Sequence, residues 1–336
     1  MKRFMCIFLA VVTVLLCGFQ VLAATQGIIT GAAVPNATMY ELYLHYEGIF
    51  TLMATSDTID FDLMSLDLEP GEHQFAVRAT APGFEPSFYS NIVTYMVSAG
   101  EAFAVYSATD NSLTFYKNND TVTVGSTYKG KAATAVYKGF ETDVYSNYED
   151  VPWIKDGSNA SVKQVVVENE IAPVSIAYWF YDFGNCYIYD LQKLNTLNVT
   201  DMSYAFYKAS VDFIGEISLD LSSWNTSSVT NMYRMFYKFA LDASSVKIDL
   251  SGWDVSKVTT MSGMFYQVAV YAPTFDLVGV SGWNTSSVTD MYRMFYQTAK
   301  NANYTLNLSG WNVNNVSNYS GFNTSVESKV IAPTFK

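Results

Sequence analysis

A five-fold internal repeat in the second half of the chain limits the folds open to it more than any other feature. When the valine of the phrase Ser-Ser-Val-Thr is taken as the reference, successive copies are 30, 29, 30 and 28 residues apart. The reference positions are Val199, Val229, Val258, Val288 and Val316. Repeats of this length bury their apolar faces against their neighbours, so the sequence predicts a stack of similar units.

Apolar residues recur at constant offsets from each reference valine. Offsets of 0, +3, +6 and +7 place Val229, Met232, Met235 and Phe236 on one face of a short α-helix. A tryptophan lies five residues before four of the valines, and Leu194 takes its place in the first repeat. The predicted repeat core consists of Trp224, Trp253, Trp283, Trp311, Met232, Met261, Met291, Phe236, Phe265 and Phe295.

An alternating apolar pattern precedes the tryptophans and predicts a strand, as at residues 217–221. Thr230 or Ser228 is a suitable cap for the helix that follows, and Asp290 falls in the first turn of its own repeat, where the helix dipole favours a negative charge. Each unit is therefore predicted to be a strand, a turn and a short helix. A divergent earlier copy is visible at residues 177–181.

The sequence of the repeats resembles that of the BspA-like leucine-rich-repeat surface proteins of bacteria. The resemblance rests on Leu-Asp-Leu-Ser-Ser-Trp-Asn-Thr-Ser-Ser-Val-Thr-Asn-Met-Tyr-Arg-Met-Phe-Tyr at residues 219–237 and on a similar entry into the array, and it covers about residues 103–325. The repeats depart from the family in being longer, and cysteine after the Met-Phe-Tyr group is missing except at Cys186. The family implies export, surface location and adhesion, but none of its binding residues maps onto this chain.

The resemblance and the pattern together predict a mixed α/β fold class. A β-sandwich at residues 27–98 would be followed by a lead-in or cap at 102–176 and a short leucine-rich-repeat-like solenoid at 177–336, with a degenerate C-terminal cap. The sandwich segment resembles a bacterial fibronectin type III domain, through Leu-Glu-Pro-Gly at residues 68–71 and the strand that follows. It lacks the tyrosine that this family usually has at the start of that strand.

The N-terminus predicts a secretory signal peptide at residues 1–23. Lys2 and Arg3 precede an apolar stretch, and small residues follow at the cleavage position. The alternative is a lipoprotein anchored through Cys17, although Leu16 is large for the position before a lipidated cysteine. The expected location is extracellular or on the bacterial cell surface, and no integral membrane segment is expected once the signal is removed.

The composition points away from several classes of function. The net charge is −12, and removal of the predicted signal would make it −14 because Lys2 and Arg3 are lost. Such acidity disfavours nucleic acid as a partner. Both histidines, His45 and His73, lie before the repeats, and no spacing typical of zinc or calcium sites occurs. We therefore expect no enzymatic activity, no catalytic residue, no metal and no cofactor.

A row of tyrosines is the candidate binding surface. Each one follows the buried phenylalanine of its repeat, at Tyr207, Tyr237, Tyr266 and Tyr296, and Arg234 and Arg293 lie close to it in sequence. Tyrosine is well suited to contact surfaces. The predicted function is non-catalytic adhesion to an extracellular protein or glycan. The alternative is a secreted carbohydrate-binding module that uses a Trp or Tyr ladder.

Overall fold

The computed structural model describes residues 21–25, 28–66, 68–69, 71–97 and 100–336. Most of the predicted signal peptide, including Cys17, lies outside these residues. The chain divides into two compact units, residues 1–99 and 100–336, and each is described by itself.

The first unit consists of two small antiparallel sheets, with strand orders β1-β2-β5 and β4-β3-β6-β7. Leu42 and Val77 pair directly across β3 and β6 and are fully buried, and Ile29 and Phe61 from the other sheet join the same core. Alternation of apolar and polar residues thus brings both sheets onto one core. Its elements are β1 (Val21–Thr25), β2 (Ile28–Gly31), β3 (Met39–Tyr46), β4 (Ile49–Ser56), β5 (Phe61–Asp62), η1 (Leu63–Ser65), β6 (Gly71–Thr80) and β7 (Val93–Val97).

The second unit begins with a five-stranded sheet of order β12-β8-β9-β13-β14. Strands β8 and β9 form an antiparallel hairpin, and Asn111 adopts a φ of 52° at its turn. The elements are β8 (Glu101–Ser107), β9 (Ser112–Asn118), β10 (Thr127–Tyr128), β11 (Lys131–Ala132), β12 (Ala135–Lys138), η2 (Tyr148–Asp150), α1 (Pro152–Lys155), η3 (Ser158–Ser161), β13 (Gln164–Val167) and β14 (Ile188–Asp190).

The repeats stack so that equivalent residues of neighbouring units lie beside one another. Strands β15, β16 and β17 form a parallel sheet in which Ile217, Val246 and Phe275 are in register. The last strands, β18 and β19, pair parallel with each other. The elements are β15 (Glu216–Asp220), β16 (Ser245–Asp249), β17 (Thr274–Val278), η4 (Val280–Gly282), β18 (Leu306–Asn307) and β19 (Val330–Ile331).

The prediction of a short helix in each repeat is wrong. After Val229 the chain forms consecutive β-turns, in which the N–H of Met235 donates to the carbonyl of Met232 at 3.3 Å and the N–H of Tyr237 donates to the carbonyl of Arg234 at 3.2 Å. Arg234 has a φ of 53°, in the left-handed region, and Lys238 has a φ of 58°. A right-handed helix cannot continue through such residues.

The hydrogen bonds that a helix would make within itself run between repeats instead. The N–H of Met232 donates to Thr260 at 3.1 Å, that of Arg234 to Ser262 at 3.0 Å and that of Phe236 to Met264 at 2.9 Å. The residues at offsets of 0, +3, +6 and +7 are also buried in this conformation, so their spacing resembles that of a helix face.

The mixed α/β class and the leucine-rich-repeat-like solenoid are therefore also wrong. Within the described residues α1 is the single α-helix, and the regular structure consists of small sheets. Asp290, expected to stabilise a helix start, accepts the N–H of Tyr292 at 2.9 Å and so closes an Asx turn. The fold is predominantly β, with successive turns between the strands.

Three aromatic and sulfur-containing positions fill the interior of the array. Trp253 stacks between Trp224 and Trp283 at centroid distances of 6.3 and 6.2 Å, with ring planes 4° apart in both cases. The four repeat tryptophans are 2–6% exposed, and the predicted core methionines and phenylalanines are fully buried. The residues predicted as core thus lie in one continuous apolar cluster.

The two central tryptophans allow a matched test of the indole hydrogen bond. The Trp253 indole N–H donates to the carbonyl of Leu221 at 2.9 Å, whereas that of Trp283 has no acceptor among the described residues. Both substitutions Trp253→Phe and Trp283→Phe reduce packing, but the first also loses a hydrogen bond. We expect Trp253→Phe to lower the free energy of unfolding by about 1 kcal/mol more than Trp283→Phe, as measured by urea denaturation. Equal losses would contradict this assignment.

Candidate functional site: the tyrosine ladder

Six tyrosines form one continuous stack along the repeats, called here the tyrosine ladder. Neighbouring ring centroids are 4.4–4.8 Å apart, and neighbouring planes differ by 2–8°. Each side chain is half-buried. The members in order are Tyr148, Tyr181, Tyr207, Tyr237, Tyr266 and Tyr296.

The sequence predicted four of the six members and missed two. Tyr181 could have been predicted from the sequence, since it ends the divergent copy at residues 177–181 and occupies the position equivalent to Tyr207. The N–H of Asp182 donates to the carbonyl of Tyr207 at 2.8 Å, which fixes this register. Tyr148 belongs to no repeat, and only the fold brings its ring to within 4.5 Å of Tyr181.

Backbone hydrogen bonds between repeats position the ladder. The carbonyl of Tyr237 accepts the N–H of Lys208 at 2.7 Å, and the carbonyl of Tyr266 accepts that of Lys238 at 2.8 Å. Because these bonds join equivalent residues, each phenol is superposed on the next at nearly the separation of paired strands.

The stacking decides which parts of the rings a partner can reach. The two faces of Tyr207, Tyr237 and Tyr266 are each covered by a neighbouring ring. The exposed part of each side chain is therefore an edge that carries the phenol hydroxyl, which both donates and accepts hydrogen bonds. The ladder offers a row of hydroxyls, and a flat ligand cannot stack on its inner members.

Cationic side chains lie against the ladder. The Arg234 guanidinium lies 4.9 Å from the ring centroid of Tyr233 and 5.3 Å from that of Tyr237, and Arg293 repeats this arrangement on Tyr292 and Tyr296 at 5.0 and 5.3 Å. Such contacts hold an arginine in place with roughly 0.5–1 kcal/mol at exposed sites.

Two lysines add to this charge. The ammonium groups of Lys208 and Lys238 lie 5.8 and 5.9 Å from the rings of Tyr207 and Tyr237. Across the part of the chain that the structure describes, ion pairs form only at Arg78, Lys117 and Lys138, so none of the four ladder cations is paired with a carboxylate. Their charge is available to a partner.

An alternation with a period of two repeats surrounds the arginines. Tyr233-Arg234 is followed one repeat later by Ser262-Gly263, and the same change recurs from Tyr292-Arg293 to Ser320-Gly321. A Cβ on Gly263 would lie 3.1 Å from Cγ of Arg234, and one on Gly321 would lie 3.1 Å from Cγ of Arg293. The small residue makes room for the arginine of the preceding repeat, which accounts for the alternation of Tyr-Arg and Ser-Gly along the array.

Burial raises the pKa of two neighbouring ladder phenols, those of Tyr207 and Tyr237. Burial, with a contribution from Tyr266 and Tyr207, raises the pKa of Tyr237 to about 12, although Arg234 partly opposes it. Tyr204 lies beside the ladder, with its ring centroid 5.6 Å from that of Tyr207, and burial together with Tyr233 raises its pKa to about 12. At neutral pH Tyr237 therefore presents a neutral hydroxyl group beside the positive charge of Arg234.

The residues considered for catalysis or metal binding are placed elsewhere. His45 Nδ1 lies 3.0 Å from the side-chain oxygen of Gln74, and His73 Nε2 lies 2.6 Å from the carbonyl of Glu69. The Cys186 thiol is buried, which raises its pKa to about 12. No group of three or more His, Cys, Asp or Glu side chains able to hold a metal ion occurs within the described ranges.

A known protein family matches the repeats of this chain but not its N-terminal half. Residues 174–277 and 242–328 match the family described as "Mycoplasma protein of unknown function, DUF285". No curated protein and no solved structure matched. Among the described residues no helix is long and apolar enough to span a membrane.

Replacement of Gly263 tests the alternation. Gly263 has a φ of +64° and faces Arg234, so Gly263→Ala combines backbone strain with a tight contact. We expect a loss of about 1–2 kcal/mol in the free energy of unfolding, measured by urea denaturation. Gly282→Ala is the control, since open space surrounds that position, and it should change stability by less than about 0.5 kcal/mol. A Gly263→Ala protein as stable as the control would refute the steric account.

Alkaline pH should destabilise the array. The raised pKa values mean that Tyr204 and Tyr237 keep their protons in the folded protein above pH 10, where the unfolded chain releases them. Their contribution to stability is complete below pH 10 and is lost as the pH rises towards 12. The melting temperature should fall over this range, and less steeply in Tyr204→Phe/Tyr237→Phe. Identical pH profiles for the two proteins would contradict the expectation.

Proposed function

We propose that this chain is a non-catalytic binding protein of the extracellular space or the bacterial surface, and that it adheres to its partner through the tyrosine ladder. The observation that carries the proposal is the set of four unpaired cations beside a row of stacked, half-buried tyrosines. Residues that only stabilise the repeats would not require such a surface. Aromatic and arginine side chains on a rigid frame are typical of contact sites.

The sequence resemblances support the same proposal. The repeat text resembles BspA-like surface proteins, which adhere to host or bacterial molecules, and the repeats match DUF285. The N-terminal residues have the pattern of a secretory signal, and residues 68–91 resemble fibronectin type III sequences, which fits an extracellular protein.

Carbohydrate binding is the second candidate function, and the geometry of the aromatic rings argues against binding by stacking of sugars on ring faces. The repeat tryptophans are 2–6% exposed and pack inside the array, so a sugar cannot reach them. The inner tyrosine rings are covered on both faces by their neighbours. A glycan would therefore have to bind through hydrogen bonds to the hydroxyl row.

Truncation of two ladder members tests the proposed function. We expect Tyr237→Ala/Tyr296→Ala to weaken binding at least tenfold, because two of the ladder hydroxyls are lost together with the rings that Arg234 and Arg293 contact. Binding would be measured by biolayer interferometry against arrays of matrix proteins and glycans. Circular dichroism would confirm that the variant is folded.

Tyr271→Ala is the matched control for this substitution. Tyr271 lies in the repeats and is 58% exposed, but it is not a member of the ladder. Binding by the control should stay within twofold of the original protein. Full binding by the folded double variant would exclude the ladder as the contact surface.

A further inference from the structure

We infer that the partner of the tyrosine ladder is an acidic polysaccharide, bound as an extended chain along the stack over Tyr207 to Tyr296. This inference rests on the proposed function and specifies its ligand class. It follows from the charge, the hydrogen-bonding groups and the spacing of the surface.

The charge of the ladder is opposite to that of the protein as a whole. The chain carries a net charge of −12, yet Lys208, Arg234, Lys238 and Arg293 lie together on one surface without carboxylate partners among the described residues. Arg293 is exposed, and the other three are half-buried. Unpaired cations grouped on an acidic protein favour an anionic ligand by charge complementarity.

The charge also restricts the bound region to part of the ladder. At the opposite end the phenol of Tyr148 donates to the carboxylate of Glu149 at 3.2 Å, and Asp182 directly follows the ladder member Tyr181. Carboxylates at this end would repel an anionic chain. The complementary stretch therefore begins at Tyr207.

The hydroxyl row distinguishes among anionic polymers. Nucleic acids bind such protein surfaces by stacking bases on aromatic faces, but here the inner faces are covered by neighbouring rings. A polysaccharide instead presents hydroxyl groups along its whole length, and these can pair with the phenols. An acidic polysaccharide also supplies carboxylates or sulfates for the arginines, so it satisfies both kinds of group at once.

The spacing of the ladder agrees with this ligand class. Successive phenol rings from Tyr207 to Tyr296 are 4.4–4.8 Å apart, whereas an extended peptide advances only about 3.3 Å per residue. A pyranose unit in an extended chain is longer than a peptide residue and close to the ring-to-ring step. Arg234 and Arg293 are two repeats apart, roughly 10 Å at the usual strand separation. The arginines are thus placed to contact an acidic group on every second sugar.

The experiment compares charged and neutral forms of the same polymers. The full-length protein would be titrated with polygalacturonate and its methyl ester, and with dextran sulfate and dextran, while polyglutamate serves as an anion without sugar. We expect at least one charged polysaccharide to bind tenfold or more tightly than its neutral form and than polyglutamate. Added salt should weaken this binding.

Two variants of equal charge locate the contact. Arg234→Gln/Arg293→Gln should weaken binding of the charged polysaccharide at least tenfold. Lys247→Gln/Lys257→Gln removes the same charge from exposed positions of the repeats that have no contact with the ladder, and its binding should stay within twofold. Thermal melting would establish that both variants are folded.

The outcomes separate this inference from the proposed function. Equal binding of charged and neutral polysaccharides, equal binding of polyglutamate, or no effect of Arg234→Gln/Arg293→Gln would overturn the inference. If a protein or neutral glycan is bound and Tyr237→Ala/Tyr296→Ala abolishes that binding, the proposed function stands and only the ligand class is wrong. Failure to bind any member of the protein and glycan arrays would overturn both.

Discussion

Backbone hydrogen bonds between equivalent segments of neighbouring repeats hold the array together and set its conformation. The N–H groups of Met232, Arg234 and Phe236 donate to the next repeat, and similar bonds join the other repeats. A repeat in isolation would leave these groups to water or to a helix. Because buried peptide groups must be paired, the stack and the local conformation form together. The left-handed residues, such as Arg234 and Lys238, are tolerated since the bonds of the stack offset their strain.

The same bonds produce the candidate site. They set equivalent side chains at the separation of paired strands, so tryptophan, phenylalanine and tyrosine each form their own ladder. The first two ladders fill the interior, and the third lies at the surface with its hydroxyl edges outward. The positive φ of Arg234 and Arg293 directs these side chains over the tyrosines, and Gly263 and Gly321 leave the space that they need. Stability and the proposed binding surface therefore have one origin.

The sequence predicted which residues of the repeats form the core, but it did not predict the backbone conformation of the repeats. The predicted Trp, Met and Phe positions lie together in the interior, and the strand predicted at residues 217–221 from alternation forms at Glu216–Asp220. Burial at offsets of 0, +3, +6 and +7 satisfies a helix and a series of tight turns equally well. Which of the two conformations forms depends on hydrogen-bond acceptors one repeat away, such as the carbonyl of Ser262, which accepts the N–H of Arg234. The sequence around Arg234 gives no information about these acceptors. Tyr148 could not be predicted as a ladder member for the same reason, since no repeat contains it.

The period of the array, the apolar positions of each unit and the tyrosine after the buried phenylalanine follow from the amino-acid sequence alone. These properties are local or periodic, so the residue types at fixed offsets are enough to state them. Folding is needed to establish that the units are strands and turns, that the tryptophans are inside, and that the inner tyrosine faces are covered. It also leaves Arg234 and Arg293 with no acidic partner among the described residues. The physical reason is that each of these properties depends on groups about thirty residues away, which are brought into contact only when the repeats stack.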